Sequence, residues 1–425
     1  MSRNVKKIAV PGDAASTSRR SSRREFIATA GAASLALAAP AFVRAQGSKR
    51  ALKVSVGRQP WAAGNSPVTQ YMINNKTFER YAADAGYDLT VDYRDYPSAL
   101  PMVEAFVSGN LDFGMWGNTP IVRMIAQNQP IYPTTVGEGH FRFVLATRKD
   151  SPIRNLADLK GKTVGALLGG DPYTVLTQML RYELGNPDPR AFDITVVNTP
   201  TQAQAATIPT GMDAAVLINP AFLKAHAEIG TVGIMNSFGY TESHYKGPAG
   251  EGAGHLLESV KKSPFYPDGY YLHRSFWVSH PGVVKNHAPV VTAFILAQQD
   301  AVAKLSVMDP GKVSDLAKKY WELPPNLGAQ VVTDDVLFAR GWCWPTEGDA
   351  TAILAISKFM VEGRLIPKPL AWSAVRDSMA PIVPMLREAY DKSGRKPDMA
   401  AFEATGTKDL RGPPAWDMKD WKDHA

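Results

Sequence analysis

Short apolar segments alternate along the chain with longer segments in which apolar residues recur at helical spacing. This alternation is typical of α/β proteins, whose strands and helices follow each other and whose strands form parallel sheets. The segments that we interpret as strands are 52–57, 89–93, 141–147, 163–167, 194–198 and two that end at Gly117 and Ile218. Helices are predicted over 66–85, 98–107, 313–321, 349–362 and 373–391.

Three predicted strands are followed at once by a helix-start signal, in which a polar residue precedes a proline. These signals are Thr119-Pro120, Asp171-Pro172 and Asn219-Pro220, and Ser66-Pro67 gives a fourth after the first strand. A polar side chain can cap a free N–H of the first helical turn, and proline suits the first helical position. We therefore expect helices that begin directly at the carboxyl ends of strands.

Such junctions predict where a ligand binds. Open α/β sheets bind ligands at the carboxyl ends of their strands, and the free N–H groups of a helix start attract anions. We expect the backbone N–H groups of Gly117, Asn118 and Thr119 to contact an acidic group of the ligand. Asp171 and Tyr173 would contact it from the opposite side, although the carboxylate of Asp171 would repel an anion unless it caps its own helix.

The formal net charge of +7 does not indicate a nucleic-acid-binding protein. Residues 1–45 contain eight basic and two acidic residues, so they carry +6 of the total. The rest of the chain has 39 basic and 38 acidic residues and is nearly neutral. Apolar residues make up 45 % of the chain and charged residues 20 %, as in ordinary globular proteins. A broad phosphate-binding face is therefore not expected.

The basic N-terminus resembles a signal for export by the twin-arginine route. Arg23 and Arg24 precede an Ala-rich apolar run over 28–41, and small residues place a cleavage site after Ala45. A disordered basic tail is the alternative. The single cysteine, Cys343, lies far from this segment, so no lipid anchor is expected, and no window of about 18 apolar residues indicates a membrane span. We expect the mature protein to reside in the periplasm.

Four segments carry a resemblance to a known family. They are 108-SGNLDFG-114 with Gly117 and Pro120, 156-LADLKGKTVG-165, 213-DAAVLINP-220 and the strand and long helix over 276–301. The chain resembles, over roughly residues 50–305, the periplasmic solute-binding proteins of ABC importers in the nitrate, taurine and aliphatic-sulfonate group. This resemblance implies a type II periplasmic binding fold, with two α/β lobes joined by two crossovers and a ligand bound between them.

The same resemblance implies a domain organisation. The crossovers would lie near 144–150 and 271–278, and residues 237–269 and the C-terminal helices are additions to the family pattern. The expected division is a signal peptide over 1–45, lobe one over 46–148, lobe two over 149–268, the return to lobe one over 269–345 and a C-terminal helical extension over 346–425.

The candidate ligand contacts are aromatic, cationic and backbone groups near the predicted cleft. Aromatic rings at strand ends can stack on a ring or cover an alkyl chain, and arginine binds carboxylate or sulfonate with two parallel hydrogen bonds. Each residue also has an ordinary structural interpretation in the core, in a loop or on the surface. The predicted set is Trp61, Trp116, Gly117, Asn118, Thr119, His140, Arg142, Gly170, Asp171, Tyr173, Asn219 and Arg274.

These features predict a substrate-binding component of an ABC importer, a monomer that delivers a small organic acid to a membrane permease. The acid would be a sulfonate or carboxylate, and the aromatic residues favour an aromatic one. A pyrimidine or other neutral heterocycle is the alternative ligand. An enzyme of the related pyrimidine-synthase branch is disfavoured because that branch relies on a cysteine cluster and this chain has one cysteine. No cofactor or metal is expected, since the eight histidines show no metal-binding spacing.

Overall fold

The computed structural model describes residues 49–62, 64–140, 142–199, 208–241, 255–394 and 412–424. The predicted signal peptide, residues 1–45, lies outside the described residues. The strands are β1 Arg50–Arg58, β2 Tyr87–Asp95, β3 Phe113–Gly117, β4 Tyr132–Glu138, β5 Phe143–Thr147, β6 Thr163–Ala166, β7 Thr195–Asn198, β8 Ala214–Ile218, β9 Val232–Asn236 and β10 Ser275–Ser279.

The helices surround these strands and continue to the C-terminus. They are α1 Asn65–Asn75, α2 Thr77–Asp84, α3 Ala99–Val107, α4 Asn118–Ala126, α5 Asp171–Leu184, α6 Asn219–Ile229, α7 Pro281–Asn286, α8 Ala288–Leu305, α9 Pro310–Asp315, α10 Lys318–Trp321, α11 Pro325–Asp334, α12 Val336–Arg340, α13 Glu347–Glu362, α14 Trp372–Met379 and α15 Val383–Ser393. None of the helices in this part of the chain has both the length and the apolarity needed to span a bilayer.

The strands form two five-stranded sheets, with the orders β2-β1-β3-β10-β4 and β7-β6-β8-β5-β9. In the first sheet β1 pairs in parallel with β2 and β3, and in the second sheet β6 pairs in parallel with β7 and β8. The prediction of wholly parallel sheets is wrong for one strand in each sheet. Strands β10 and β5 are antiparallel to both of their neighbours. Each is the first strand after the chain passes from one sheet to the other, so no crossover helix sets its direction.

The two passages between the sheets lie at 139–142, between β4 and β5, and at 237–274, between β9 and β10. The first passage comes before the predicted 144–150, because β5 already belongs to the second sheet. The second ends at the predicted return strand β10. Two lobes joined by two crossovers are therefore confirmed.

Three of the predicted helices are interrupted. The helix predicted over 313–321 is divided between α9, which ends at Asp315, and α10, which begins at Lys318. The helix predicted over 66–85 ends at Asn75 and restarts at Thr77, because Lys76 adopts a left-handed conformation with φ of 47°. The segment 373–391 contains α14, a 3₁₀ turn at Ala380–Ile382 and α15, and prolines at the starts of the last two elements account for the break.

The predicted side-chain caps are wrong. Helices α4, α5 and α6 follow Gly117, Gly170 and Ile218, and none of these starts carries a side-chain cap hydrogen bond. The predicted caps Ser66, Thr119, Asp171 and Asn219 all lie within the first two residues of their helices. The described side chains of Asp171 and Asn219 instead make tertiary contacts, as shown below.

The C-terminal helices pack on both lobes. Helix α15 packs on α8 beside the first sheet, while α13 contacts α4 of lobe one and α5 of lobe two. Helices α10 and α11 contact α6 of lobe two. Residues 49–425 accordingly form one compact unit.

Candidate functional site

A pocket lies between the two sheets, and its space is about 550 Å³ when the open solvent at its mouth is included. Its walls come from the carboxyl ends of β1, β3, β4, β6 and β8 and from the segments that follow them. The lining residues that carry polar or aromatic side chains are Gln59, Trp61, Glu138, Phe143, Asp171, His273 and Ser275. The pocket thus lies at the strand ends, where the sequence predicts it.

Two carboxylates flank a histidine in the pocket wall. Nε2 of His273 lies 3.5 Å from Oε2 of Glu138, and its Nδ1 lies 3.9 Å from Oδ2 of Asp171. The hydroxyl of Ser275 donates to Oε2 of Glu138 at 2.5 Å. Burial, which outweighs the neighbouring Asp171, lowers the pKa of His273 to about 4. The imidazole is therefore neutral near pH 7.

Asp171 connects the two lobes at the start of helix α4. Its Oδ1 accepts the backbone N–H of Thr119 at 2.9 Å, and the hydroxyl of Tyr271 donates to the same oxygen. The carboxylate lies directly against Gly117, where a Cβ would come within 1.6 Å of Oδ2. Burial and the Asp171 charge raise the pKa of Tyr271, so its hydroxyl stays a donor. The helix start predicted to bind a ligand anion thus holds the chain's own carboxylate.

Thr119 itself is fully buried. Its hydroxyl lies 2.9 Å from that of Thr174 and 3.3 Å from that of Tyr271. Asn118, also fully buried, donates its amide to the carbonyl of Leu272 at 2.8 Å. The backbone of this junction reaches the pocket through Gly117 and Pro120, while the side chains of Asn118 and Thr119 contact protein groups.

Arg142 and Arg274, the predicted countercharges, are fully buried in ion pairs. Arg142 pairs with Asp334 at 3.2 Å and donates to Oδ1 of Asn219 at 2.8 Å. Arg274 donates from Nε to Asp349 at 2.7 Å. Because neither arginine lines the pocket, we leave both out of the proposed ligand contacts, together with Asn219.

Of the three predicted aromatic residues, one lines the pocket and two do not. Trp61 lines the pocket and is half-buried, with its ring edge-on to that of Tyr320 at 5.8 Å. Trp116 is fully buried in the core against Phe106, and Tyr173 is half-buried outside the pocket wall. Phe143, which the sequence does not single out, provides the second aromatic wall.

His140 lies at the first crossover and outside the pocket wall. Its Nε2 is 2.7 Å from the carbonyl oxygen of Asp268, and burial together with the charge of Arg274 lowers its pKa to about 3. Of the predicted set, Trp61, Gly117, Gly170 and Asp171 line the pocket. Sequence reasoning missed Glu138, His273 and Ser275. Glu138 ends β4 and Ser275 begins β10, next to the two crossovers, and this position at the strand ends could have indicated them.

The described residues contain no constellation typical of catalysis by cysteine or metal. Cys343 is buried outside the pocket, and burial raises the pKa of its thiol to about 12. No group of three or more His, Cys, Asp or Glu side chains in the described ranges could hold a metal ion.

Comparison with known proteins gives a family match over part of the chain and a fold. Residues 70–274 match the family model described as ABC transporter, phosphonate, periplasmic substrate-binding protein. No curated protein matches the chain.

Three solved structures illustrate the structural similarity. The alkanesulfonate-binding protein SsuA from Xanthomonas axonopodis pv. citri is 17 % identical, with a TM-score of 0.56 over 77 % of this chain and 97 % of that one. The periplasmic nitrate-binding protein NrtA from Synechocystis PCC 6803 is 12 % identical, with a TM-score of 0.58 over 80 % of this chain and 88 % of that one. The desulfurization enzyme DSZB is 14 % identical, with a TM-score of 0.52 over 80 % of this chain and 99 % of that one. At these identities the structures show a shared fold.

The matched segment spans β2 to β9 and thus contributes to both sheets and most of the pocket wall. Residues 70–274 therefore match the model of periplasmic substrate-binding proteins of ABC transporters, and the described residues have the two-lobed α/β fold of these structures.

Proposed function

We propose that this chain captures a small organic molecule in the pocket between its two sheets and delivers it to the permease of an ABC importer. The observation that carries the proposal is the pocket itself, which both lobes line at their strand ends. Binding proteins of this kind enclose their ligand between the lobes, where side chains from each lobe can contact it. The protein acts as a monomer in this proposal, as the sequence predicts.

The class of ligand has two candidates. The names of the family model and of two structural relatives refer to phosphonate, sulfonate and nitrate, which supports the predicted small organic acid. The contact between Asp171 and Thr119 supports the alternative, a heterocycle whose N–H groups donate to carboxylates. An acid would have to displace Asp171 from the start of α4 before it could use that backbone N–H.

Binding without chemical change is the second part of the proposal. The fold also occurs in a desulfurization enzyme, so the fold alone does not decide the question. The burial of Cys343 outside the pocket supports a binding role, since a cysteine with a raised pKa is a poor nucleophile.

Equilibrium dialysis against a panel of organic acids, amines and heterocycles, followed by mass spectrometry, tests both parts. We expect one class to be retained at one molecule per chain and recovered unaltered. A ligand at 100 times its Kd also stabilises the protein by about 2.7 kcal/mol, which a thermal shift detects. A new product after long incubation would overturn the assignment.

We also propose export to the periplasm by the twin-arginine route. The paired arginines Arg23 and Arg24 before an Ala-rich run support this. Replacing both by lysine should abolish the processed form in the periplasm and leave the precursor in the cytoplasm. Unchanged processing of the double variant would refute the route without affecting the binding proposal.

A further inference from the structure

We propose that the ligand carries a positively charged nitrogen group, which binds near the carboxylates of Asp171 and Glu138 while its apolar part lies against Trp61 and Phe143. This inference rests on the binding function proposed above and names the class of substrate. It differs from the organic acid that the relatives' names favour.

The charges of the pocket wall are the first reason. Among the described residues that line the pocket, Asp171 and Glu138 are acidic, and none is lysine or arginine. His273 lies within 4 Å of both carboxylates, but its lowered pKa makes it neutral near pH 7. Arg274 follows His273 in the chain, lies outside the wall and shares Asp349 with Arg340. A cation in the pocket would therefore lie near two carboxylates and would contact no lysine or arginine side chain of the wall.

The use of the helix start is the second reason. In a site for an anion, the N–H groups at the start of α4 would be open to the ligand. Here the N–H of Thr119 donates to Asp171, a residue of the other lobe. The absence of a side chain at Gly117 leaves room for that carboxylate, since a Cβ there would come within 1.6 Å of Oδ2. An acidic ligand would have to break this contact and then remain close to Glu138.

The aromatic walls are the third reason. Trp61 and Phe143 both line the pocket, and a cation over an aromatic face gains an electrostatic attraction besides its apolar contact. The hydroxyl of Ser275 donates to Glu138, which holds that carboxylate in place at the pocket wall. An organic ammonium or a protonated nitrogen heterocycle combines the donor groups and the apolar surface that these walls complement.

Charge-matched probes test the inference on the purified protein. The amines are benzylamine and phenethylamine, the acids are benzoate, phenylacetate and benzenesulfonate, and benzyl alcohol is the neutral probe. Thermal shift and isothermal titration calorimetry should show that amines bind while acids of the same size do not.

Two variants locate the contact. Glu138→Gln and Asp171→Asn should each weaken amine binding by about 10- to 150-fold, because each removes a hydrogen bond to a charged group. Asp158→Asn is the matched control, since it removes the same charge from an exposed turn of lobe two and should leave affinity unchanged. If Glu138→Gln does not fold, the amine affinity of Asp171→Asn alone tests the inference.

The outcomes separate this inference from the proposed function. Binding of acids but not amines, with tighter binding in Asp171→Asn, overturns the inference and leaves the binding function intact. Equal amine affinity in both variants and the wild type also overturns it. If the folded protein binds none of the probes and no member of the wider dialysis panel, this result counts against both the inference and the proposed binding function.

Discussion

Replacing Gly117 by alanine should break the contact between the lobes at Asp171. The backbone of Gly117 has φ of −74° and ψ of −177°, which alanine adopts without strain. An added Cβ would nevertheless come within 1.6 Å of Oδ2 and 2.7 Å of Cγ of Asp171. The carboxylate must therefore move, and it cannot keep both of its hydrogen bonds, to Thr119 and to Tyr271.

The size of the effect follows from those two bonds. A hydrogen bond to a charged group contributes about 1.5–3 kcal/mol, so losing one or both should lower the free energy of unfolding by about 2–5 kcal/mol. Alanine in place of glycine returns about 0.4–1 kcal/mol through the unfolded chain, which leaves a clear net loss. Urea unfolding followed by circular dichroism measures the difference.

A double-mutant cycle with Asp171→Ala separates this contact from any other effect of the added methyl group. Once the carboxylate is absent, Gly117→Ala should change the free energy of unfolding by less than about 1 kcal/mol. Gly363→Ala is the matched control, because its φ of −74° is ordinary and the nearest atom to its Cβ is 3.5 Å away. The reasoning is refuted if Gly117→Ala costs the same with and without Asp171.

Two further predictions concern buried charges. Asp349→Ala should lower the free energy of unfolding by about 3–5 kcal/mol, because it removes a buried carboxylate that pairs with both Arg274 and Arg340, and a loss below about 1 kcal/mol in urea unfolding would contradict this. The second prediction concerns the range from pH 6.5 to 4. His140 and His273 have folded pKa values of about 3 and 4, so over this range they bind protons in the unfolded chain. Burial raises the folded pKa of Asp335 to about 7, so its carboxyl group already carries a proton in the folded chain. Two histidines gain a proton on unfolding and Asp335 loses one, so unfolding binds a net one proton at these three groups. The free energy of unfolding should therefore fall by about 1.4 kcal/mol for each pH unit of acidification. Urea titrations that show a constant or rising free energy of unfolding from pH 6.5 to 4 would refute this assignment.

The sequence predicts the elements that depend on local pattern. Buried strands with continuous apolar runs, such as β3 and β8, and the helix starts that follow them are all confirmed. The position of the pocket follows from these junctions, because the carboxyl ends of parallel strands meet at one edge of a sheet. Strands β4 and β9 lie at sheet edges and are not predicted. In β4, Pro133 and several polar residues do not form an apolar run, whereas β9 is largely apolar and its omission has no such cause.

The sequence could not predict which polar groups bind each other across the fold. Asp171 before a proline has the local pattern of a helix cap, yet its partner is Thr119, 52 residues earlier in the chain. Arg142 and Arg274 are next to the crossovers as expected, but their carboxylate partners come from the C-terminal helices. Long-range pairing of this kind depends on tertiary geometry, which neither periodicity nor spacing contains.

The C-terminal helices connect the two crossovers to both lobes. At the first crossover Arg142 pairs with Asp334, and at the second Arg274 pairs with Asp349, both without exposure to solvent. At the surface Lys224 of α6 pairs with Glu322 of the C-terminal region. A change in the angle between the lobes would need to carry these helices along or break buried pairs, and breaking one such pair costs about 3–5 kcal/mol. Buried ion pairs therefore connect the helices after β10 to both crossovers, whereas the sequence predicts a return to lobe one over 269–345 and an extension over 346–425.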